Sequence, residues 1–555
     1  RAQAVRLAEY RRQRDGLRPL VVPIDQIYNE FSSGQVDMRA VRDYLKFLYD
    51  RAPGAERLPR YLVLFGDGHY DYRQIKTTVP NFIGPYESEN MLNRTRSFTS
   101  DDYFGLLGDD EGEWPWSGVG EGERVDLAIG RIPARTAQDA EVVVSKILRY
   151  EDPATRGNWR TRHTYVGDDQ FPNTWDRDLH VFNADGTAQQ AQRSDSTVTL
   201  RKIYGPAYPL VTTSRGKRRP QATEAIREAI DTGTLIWNYS GHGGPTGLGD
   251  EAYVTQELVA SLDNEDRLPV WVTATCSFGK FDIADEQSLA EQVLLRPGGG
   301  GVAMLTTVRL VYTSSSPTDG NNYALNLELT RQLLERGPDG LPRALGDVLR
   351  DTKNTDVGSS LNNRKFNLLG DPALRLGMPE RRLAVTATPT LRAFEEATVS
   401  GEVLGLDGRP DPTYTGEVEV TVFDAQRVVA LPPDASLYTG GEYEDRTDRI
   451  YSGRATVAAG RFSTTFLVPQ DVSYSGLPAR VVAYARGADG SDGAGETQDV
   501  VVSAQAGTRP NDAEGPAIRL FLNDSTFVDG GTAAPGALLV ARLSDASGIN
   551  TVGAG

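Results

Sequence analysis

Cysteine and histidine are scarce in this sequence, which limits the chemistry open to it. The 555 residues include one cysteine and four histidines. A single cysteine excludes an intrachain disulfide and a thiolate zinc cluster, and so few histidines leave carboxylates as the main candidate metal ligands. The low cysteine content suits both a reducing cytosol and a bacterial surface protein without disulfides.

Positive charge and long apolar runs are scarce as well. The 59 lysines and arginines stand against 76 aspartates and glutamates, a net charge of −17, whereas nucleic-acid binding needs clustered cations. We therefore expect no nucleic acid partner, and we interpret the basic run at residues 215–219 as a solvated loop or a processing-sensitive site. No run approaches the roughly 18 apolar residues of a membrane span.

The two ends of the sequence indicate part of a longer protein. The chain opens with Arg1 rather than methionine, and it stops within a strand-like pattern at Gly555. It carries no signal peptide at its start, and we interpret any export signal as lying outside this sequence.

Apolar segments alternate with helical patterns through the first two thirds of the chain. Strand-like segments followed by helices predict an α/β fold with parallel sheets. The pattern starts twice, which predicts two α/β subdomains, residues 1–153 and residues 154–379. The predicted strands are residues 61–65, 125–129, 164–166, 235–239, 270–275 and 302–307, and the predicted helices are residues 2–14, 38–49, 137–150, 222–230, 323–336 and 343–353.

The last third consists of short alternating β-branched segments between Gly, Asp and Pro turns. Residues 383–388 and 417–422 are examples. This pattern predicts an immunoglobulin-like β-sandwich over residues 380–505. We interpret residues 507–515 as a linker and residues 516–555 as the start of a second, truncated β module.

The one cysteine and one of the histidines directly follow two predicted strands. His242 lies in the Gly-rich segment 238–244, and Cys276 lies 34 positions later in segment 273–279, with a predicted crossover helix at residues 255–262. Ligands bind beyond the carboxyl ends of the strands in open parallel sheets. If the two strands are neighbours in the sheet, the thiol and the imidazole lie close together.

A thiol beside an imidazole indicates nucleophilic catalysis. The imidazole accepts the thiol proton or forms a thiolate–imidazolium pair. The backbone N–H groups of Gly243 and Cys276 are candidates for an oxyanion hole. The structural alternative stays open, because a lone cysteine after a buried strand is usually a small core residue and a histidine in a Gly-rich turn is often merely solvated.

Six ordered motifs resemble the gingipain family of cysteine peptidases, whose α/β fold is shared with the caspases. They are Ser-Gly-His-Gly-Gly at 240–244, Ala-Thr-Cys-Ser at 274–277, and the segments 64–72, 100–105, 129–133 and 366–372. The resemblance covers about residues 1–377. It implies a caspase- and gingipain-like catalytic unit in which Cys276 is the nucleophile and His242 is the general base and acid.

The resemblance also implies a carboxylate that orients the imidazole. The family supplies it from a Ser/Thr-Asp segment, and the matching residue here is Asp101, with Asp102 as the alternative. A carboxylate in that place orients the ring and favours its charged form. The other interpretation is that both aspartates only cap a turn.

In the gingipains an acidic group after this segment selects basic substrate side chains. The corresponding candidates here are Asp109 and Asp110, within residues 109–114. This segment is longer and differently spaced than in the family, which puts basic specificity in doubt. A solvated acidic loop is the alternative.

The resemblance implies no required cofactor, but gingipains bind calcium, so a structural calcium ion is a candidate. Candidate ligands are Asp67 and Asp71, which flank His69 after a predicted strand, and the pair Asp168 and Asp169. Calcium prefers oxygen ligands, and the alternative for the first group is a role in a turn.

Four further residues lie near these candidates or share their chemistry. Asn173 and Asp176 are candidates to join the second aspartate pair around calcium. His163 and His180 lie among charged residues, and we expect both to be exposed to solvent.

Within the family, the resemblance is nearest to the peptidase that acts as sortase and signal peptidase of the type IX secretion system. It implies removal of C-terminal sorting domains from secreted cargo at the bacterial outer surface, with transfer of the cargo to lipopolysaccharide. The implied partners are the cargo and other secretion components, such as an outer-membrane barrel protein. Two alternatives stay open: an inactive scaffold component of that machinery, and a general secreted gingipain-like protease.

Overall fold

The chain divides into two compact units. A computed structural model describes residues 1–89, 91–112, 123–170, 176, 178–432, 441–508 and 515–545. The first unit is Arg1–Met378 with Ala430–Tyr443, and the second is Pro379–Val429 with Glu444–Gly555. Each unit has an apolar core of its own.

Every α-helix within the described residues belongs to the first unit. Two of them begin at capping boxes, formed by Thr136 with Asp139 and by Ser288 with Glu291. Such boxes satisfy free N–H groups of the first helical turn. The helices are α1 (Ala2–Asp15), α2 (Ile24–Phe31), α3 (Met38–Asp50), α4 (Ala137–Tyr150), α5 (Leu179–Ser194), α6 (Pro220–Thr232), α7 (Gln256–Ser261), α8 (Leu289–Leu295), α9 (Asn322–Leu333) and α10 (Leu345–Lys353).

One eight-stranded sheet forms the centre of the first unit, in the order β1-β2-β8-β7-β6-β5-β3-β4. The predicted α/β class is confirmed, and the two predicted series of strands lie side by side in this sheet. Its strands are β1 (Tyr61–Phe65), β2 (Ala128–Ile132), β3 (Arg162–Gly167), β4 (Thr199–Tyr204), β5 (Ile236–Ser240), β6 (Val270–Ala274), β7 (Ala303–Thr307) and β8 (Phe366–Leu369). Short antiparallel pairs outside it join Tyr86–Glu87 to Thr99–Ser100, Val211–Thr213 to Gly216–Arg218, and Gly243–Gly244 to Gly247–Leu248.

Antiparallel pairing interrupts this largely parallel sheet at β8. The five strands from β3 to β7 are parallel to one another, and β1 is parallel to β2. β8 runs antiparallel to β7 and meets β2 through the single pair Leu369 and Arg131. The segment that follows β1 reaches the segment that follows β6, because the N–H of Tyr70 donates to the carbonyl of Asp282 at 3.1 Å.

The two strands that lead to the candidate site are completely buried, which explains their continuous apolar sequence. Every residue of β5 and β6 is buried. Trp237 and Trp271 are directly opposite each other in the register, with ring centroids 4.2 Å apart. Near-continuous apolar runs are typical of strands covered on both faces. This packing fixes the position from which the next loops start.

The second unit is β-rich, as its turn-rich sequence predicts. Seven strands form one sheet in the order β12-β11-β14-β15-β9-β10-β13. Tyr451 and Phe466, from the two edge strands, stack with centroids 4.3 Å apart, so the sheet curls over its apolar core. The strands are β9 (Arg381–Ala387), β10 (Glu396–Leu404), β11 (Gly416–Phe423), β12 (Arg449–Val457), β13 (Arg461–Leu467), β14 (Arg480–Gly487) and β15 (Asp492–Thr497).

Three short strand pairs complete the described β structure. They join Thr390–Leu391 to Val501–Val502, Arg427–Leu431 to Gly441–Asp445, and Ala517–Leu522 to Leu539–Ser544. The last pair falls in the segment predicted to begin a further β module. Most of the predicted linker, residues 509–514, lies outside the described residues.

Candidate active site

The candidate catalytic residues follow two neighbouring parallel strands. Ser240 and Ala274 are the last paired residues of β5 and β6, and His242 and Cys276 each come two residues later. The hydroxyl of Thr275 donates to the backbone carbonyl of the residue before His242, at 2.7 Å. This hydrogen bond fastens the cysteine loop to the histidine loop.

The backbone of His242 is held from several sides. Its N–H donates to Oδ2 of Asp168 at 2.8 Å, and its carbonyl accepts from the Tyr239 hydroxyl at 2.7 Å and from the Gly249 N–H at 2.9 Å. A Cβ atom at Gly241 would lie 2.3 Å from the Cβ of Asp168. Glycine at that position therefore permits the close approach of the aspartate that positions the histidine.

The imidazole of His242 contacts a carboxylate and a second histidine. Its Nε2 lies 2.8 Å from Oδ2 of the buried Asp176 and 3.4 Å from Nε2 of His180. A carboxylate at Nε2 keeps the hydrogen on that nitrogen and leaves Nδ1 as the proton acceptor. Burial, and then proximity to His242, lower the pKa of His180 to about 3, so the second ring is neutral at neutral pH.

The thiol of Cys276 is half-buried. Burial raises the pKa of this thiol, while the positive charge of Lys365 acts in the opposite direction. Its described hydrogen bond goes to the carbonyl of Val311, 4.0 Å away. Catalytic hydrogen bonds are often long or misaligned before a substrate binds.

The predicted oxyanion donors, Gly243 and Cys276, lie on the two fastened loops. A Cβ atom at Gly243 would lie 2.6 Å from the hydroxyl oxygen of Thr275, so glycine allows these loops to touch. Ser277 has a φ of 54°, and its N–H donates to the carbonyl of Arg309 at 3.1 Å. A sharp turn in this left-handed conformation directly after Cys276 is a strained feature of the kind that functional loops contain.

The structure pairs Asp101 and Asp102 with interior cations, and the carboxylate in contact with the ring of His242 is Asp176. Nε and Nη2 of Arg131 donate to the two carboxylate oxygens of Asp101 at 2.8 and 2.6 Å. Nζ of Lys353 donates to both oxygens of Asp102 at 2.6 and 2.7 Å. All four side chains are buried. Both carboxylates are thus neutralised by cations of the protein interior, and the carboxylate that contacts His242 is Asp176.

The predicted substrate-binding carboxylates lie in solvent. Asp109 pairs with Lys46 at 2.7 Å, and its side chain is 90% exposed; Asp110 is exposed too. This arrangement agrees with the alternative of a solvated acidic loop. Residues 113–114 of the predicted segment lie outside the described residues.

The first pair of predicted calcium ligands, Asp67 and Asp71, accepts hydrogen bonds from the protein itself. Asp67 accepts a hydrogen bond from Nε of Arg135 at 2.6 Å. Asp71 accepts from the backbone N–H groups of residues 75–77, which is the turn role left open above. Within the described part of the chain, neither belongs to a group of three ligand atoms close enough to share an ion.

Asp168 and Asp169 lie in a buried carboxylate cluster with Glu251, whose ligand oxygens are within 4.8 Å of one another. Arg219 pairs with Asp169 at 2.7 Å, but both oxygens of Glu251 and the hydroxyl of Tyr253 are buried without a hydrogen-bond partner. Burial, and then Asp169, raise the pKa of Glu251 to about 8. Unsatisfied buried oxygens in excess of cations fit a hard divalent ion such as calcium.

Asp176 and His180 are the site residues that the sequence analysis placed elsewhere. The expectation that His180 and His163 are exposed is wrong, since they are 5% and 1% exposed. The carboxylate of Asp176 contacts the ring of His242. Asn173, the other candidate to join the aspartate pair around calcium, is outside the described residues. Helical periodicity in α5 was the available signal that His180 is buried. The residues that follow it at helical spacing, Ala184, Ala188 and Ala191, are apolar and buried.

A cysteine and a histidine at adjacent strand ends of a largely parallel sheet define the α/β class of cysteine peptidases. Residues 1–377 match the description Peptidase family C25. The chain therefore belongs to that family, the gingipain family of cysteine peptidases. No curated protein matches the sequence.

Solved structures that are similar to this chain include three that cover different shares of it. Dimeric latent PorU from Porphyromonas gingivalis is 26% identical with a TM-score of 0.40, covering 98% of this chain and 46% of PorU, so the chain spans about half of that relative. A structure described as a protease is 12% identical with a TM-score of 0.44, covering 83% and 87%. The Saccharomyces cerevisiae separase–securin complex is 14% identical with a TM-score of 0.29, covering 44% and 14%.

The sequence also contains no apolar run long enough for a membrane span. Among the described residues, no helix combines the length and the apolar character needed to cross a membrane.

Proposed function

We propose that Cys276 is the nucleophile of this peptidase and His242 its general base and acid, with Asp176 as the residue that positions the imidazole. The observation that carries the proposal is the arrangement at the strand ends. Cys276 and His242 occupy equivalent places after two paired parallel strands, and a buried carboxylate lies 2.8 Å from Nε2 of the histidine.

The acylation step follows from the hydrogen positions at the imidazole. Nδ1 of His242 takes the thiol proton while the Cys276 sulfur attacks the peptide carbonyl. The N–H groups of Gly243 and Cys276 stabilise the negative charge on the carbonyl oxygen. The imidazolium then gives its proton to the leaving amine, and the cysteine is left as a thioester.

The proposed substrate is secreted cargo that carries a C-terminal sorting domain. The motif resemblance supports this, and so does the 26% identity to PorU along 98% of the chain. Release of the sorting domain is the acylation step, and an amine on lipopolysaccharide, or water, then resolves the thioester. We place this reaction at the outer surface of a bacterial outer membrane, with an outer-membrane barrel protein among the partners.

A cleavage assay with purified protein tests this function, with cargo bearing a sorting domain and casein as the two substrates. The proposal is supported if the unmodified chain cleaves the cargo tail and if Cys276→Ala and His242→Ala abolish this cleavage. The folded fraction of Asp101→Asn should keep it. Equal cleavage of casein would indicate a general protease. Cargo cleavage that persists in Cys276→Ala would contradict the proposed nucleophile, and no cleavage by the unmodified chain would favour a scaffold role.

We also propose that Asp168, Asp169 and Glu251 hold a structural calcium ion. The unpartnered oxygens of Glu251 support this. The ion would supply positive charge to the cluster and take no part in the reaction. Asp168 bonds the His242 N–H, so the proposed ion site and the catalytic loop share a residue.

A further inference from the structure

We infer that Asp176, His180 and His242 form a binding site for a zinc-class divalent metal ion, and that the ion switches off the proposed catalytic histidine. The site is distinct from the carboxylate cluster proposed for calcium. Its metal affinity depends only on the geometry of three side chains. Its regulatory effect rests on the proposed function of His242.

The three ligand atoms have the spacing that a zinc ion needs. Oδ2 of Asp176, Nε2 of His180 and Nε2 of His242 form a triangle with sides of 2.8, 3.4 and 3.9 Å. One point lies about 2.0 Å from all three atoms, which is the length of zinc bonds to imidazole nitrogen and carboxylate oxygen. The side chain of His242 is 31% exposed, so water can reach a further coordination position.

Hydrogen bonding alone leaves this arrangement incomplete. The carboxylate of Asp176 holds the hydrogen at Nε2 of His242, so that hydrogen cannot also satisfy His180 well. His180 is 5% exposed, and its Nε2 has the 3.4 Å contact with another ring nitrogen. A buried polar atom with so weak a contact calls for another partner.

The ligand types select the class of ion. Two imidazoles and one carboxylate suit zinc, copper or nickel, whereas calcium and magnesium prefer oxygen alone. Closeness along the chain helps to preorganise the site, because Asp176 and His180 are four positions apart, with His180 in the first turn of α5 and the carbonyl of Asp176 accepting from the N–H of Leu179 at 2.9 Å. Preorganised ligands lower the entropy cost of binding.

Metal binding removes the base from the proposed reaction. The ion takes the Nε2 lone pair of neutral His242, and the ring hydrogen then sits on Nδ1. No lone pair is left to accept the thiol proton of Cys276. The ion thereby acts on the histidine rather than on the sulfur, and its removal restores the original tautomer.

Zinc titration of Cys276→Ala, a background without the thiol, measures binding independently of peptidase activity. Isothermal calorimetry should show one site, and His180→Phe in this background should weaken zinc binding at least about tenfold, since a ligand is lost. Phenylalanine keeps ring volume in the buried position. His163→Phe replaces an equally buried histidine near the opposite end of β3 and should leave zinc affinity unchanged, and calcium should not compete.

Equal zinc affinity in Cys276→Ala with and without His180→Phe, both folded by circular dichroism, would overturn the site. In the protein with its thiol, zinc should inhibit cleavage, and His180→Phe should raise the inhibitory concentration by the same factor. Zinc binding without inhibition would overturn the regulatory half alone. Zinc binding in a chain that never cleaves cargo keeps the site and rejects the peptidase proposal.

Discussion

Three buried carboxylates of residues 1–153 differ in their partners from the buried carboxylates around the histidine loop of residues 154–378. In residues 1–153, Asp67, Asp101 and Asp102 each pair with a cation, from Arg135, Arg131 and Lys353. In residues 154–378, several buried carboxylates lie around the histidine loop. Among the described residues, Arg219 is the arginine that pairs with this group, through Asp169. The group consists of Asp168, Asp169, Asp176 and Glu251.

Under the proposed function, this difference separates acids that stabilise the fold from acids that act on the site. A buried carboxylate with its own cation is neutralised, and it stabilises the arrangement around it. A buried carboxylate without a cation is available to other hydrogen-bond partners. Here these partners are the backbone N–H and the ring of His242. The type of residue and its place after a strand are alike in both halves, so the partner decides the role.

The largest expected effect is on stability in the first half. Arg131→Met leaves Asp101 buried without its cation, and breaking a buried ion pair costs roughly 3–5 kcal/mol in free energy of unfolding. Urea unfolding followed by tryptophan fluorescence measures it. The matched change Arg219→Met should cost less when calcium is present, because the ion offsets the lost charge. Equal costs in both halves would break the comparison.

The next effect is on catalysis in the second half. Asp176→Asn removes the charge that holds His242, and kcat/KM for cargo cleavage should fall about 100-fold, the lower range for general acid–base effects.

Asp101→Asn is the matched control for this second prediction. It should lower the melting temperature without changing kcat/KM per folded molecule. A large loss of kcat/KM in Asp101→Asn, with Asp176→Asn unaffected, would restore the assignment made from the sequence motifs.

Much of the fold follows from periodicity, whereas the third member of the site depends on sheet direction and helix packing. Apolar runs ending at His242 and Cys276 predict two neighbouring strand ends, and the register agrees. β8 runs antiparallel to β7, and no periodic pattern encodes that direction. The charged residues around His180 suggest exposure, but α5 turns this side of the helix inward.

Boundaries show the same limit on a smaller scale. The strand predicted at residues 125–129 lies at Ala128–Ile132, because Val125 and Leu127 are buried ahead of it without being part of the sheet. Apolar character alone does not distinguish a buried lead-in from a paired strand.

Calcium removal should have a third, smaller effect, on thermal stability. This effect depends on the carboxylate cluster in residues 154–378. At a calcium concentration ten times its Kd, binding should stabilise the first unit by about 1.4 kcal/mol. Differential scanning calorimetry with and without a chelator measures the shift in melting temperature. Glu251→Gln should reduce the shift, and Asp67→Asn should leave it in place. A shift that survives Glu251→Gln unchanged would remove calcium from this cluster.

The smallest effect concerns the cysteine, which lacks a carboxylate of its own. Burial raises the pKa of the Cys276 thiol, so the alkylation rate with iodoacetamide should be low at pH 7 and still rise beyond pH 9, about tenfold per pH unit below the pKa. Urea-unfolded protein is the control for an ordinary thiol. A rate that is already maximal at pH 7 would indicate a thiolate–imidazolium pair instead.

The central claim is that the Cys276 sulfur forms a thioester with a peptide carbonyl while Asp176 holds His242. Mass spectrometry of protein quenched in acid during cargo cleavage tests it most directly. We predict an acyl adduct on the peptide that contains Cys276, weaker in Asp176→Asn and absent in His242→Ala. Cargo cleavage at an undiminished rate with Cys276 unmodified, or cleavage by Cys276→Ala, would contradict it.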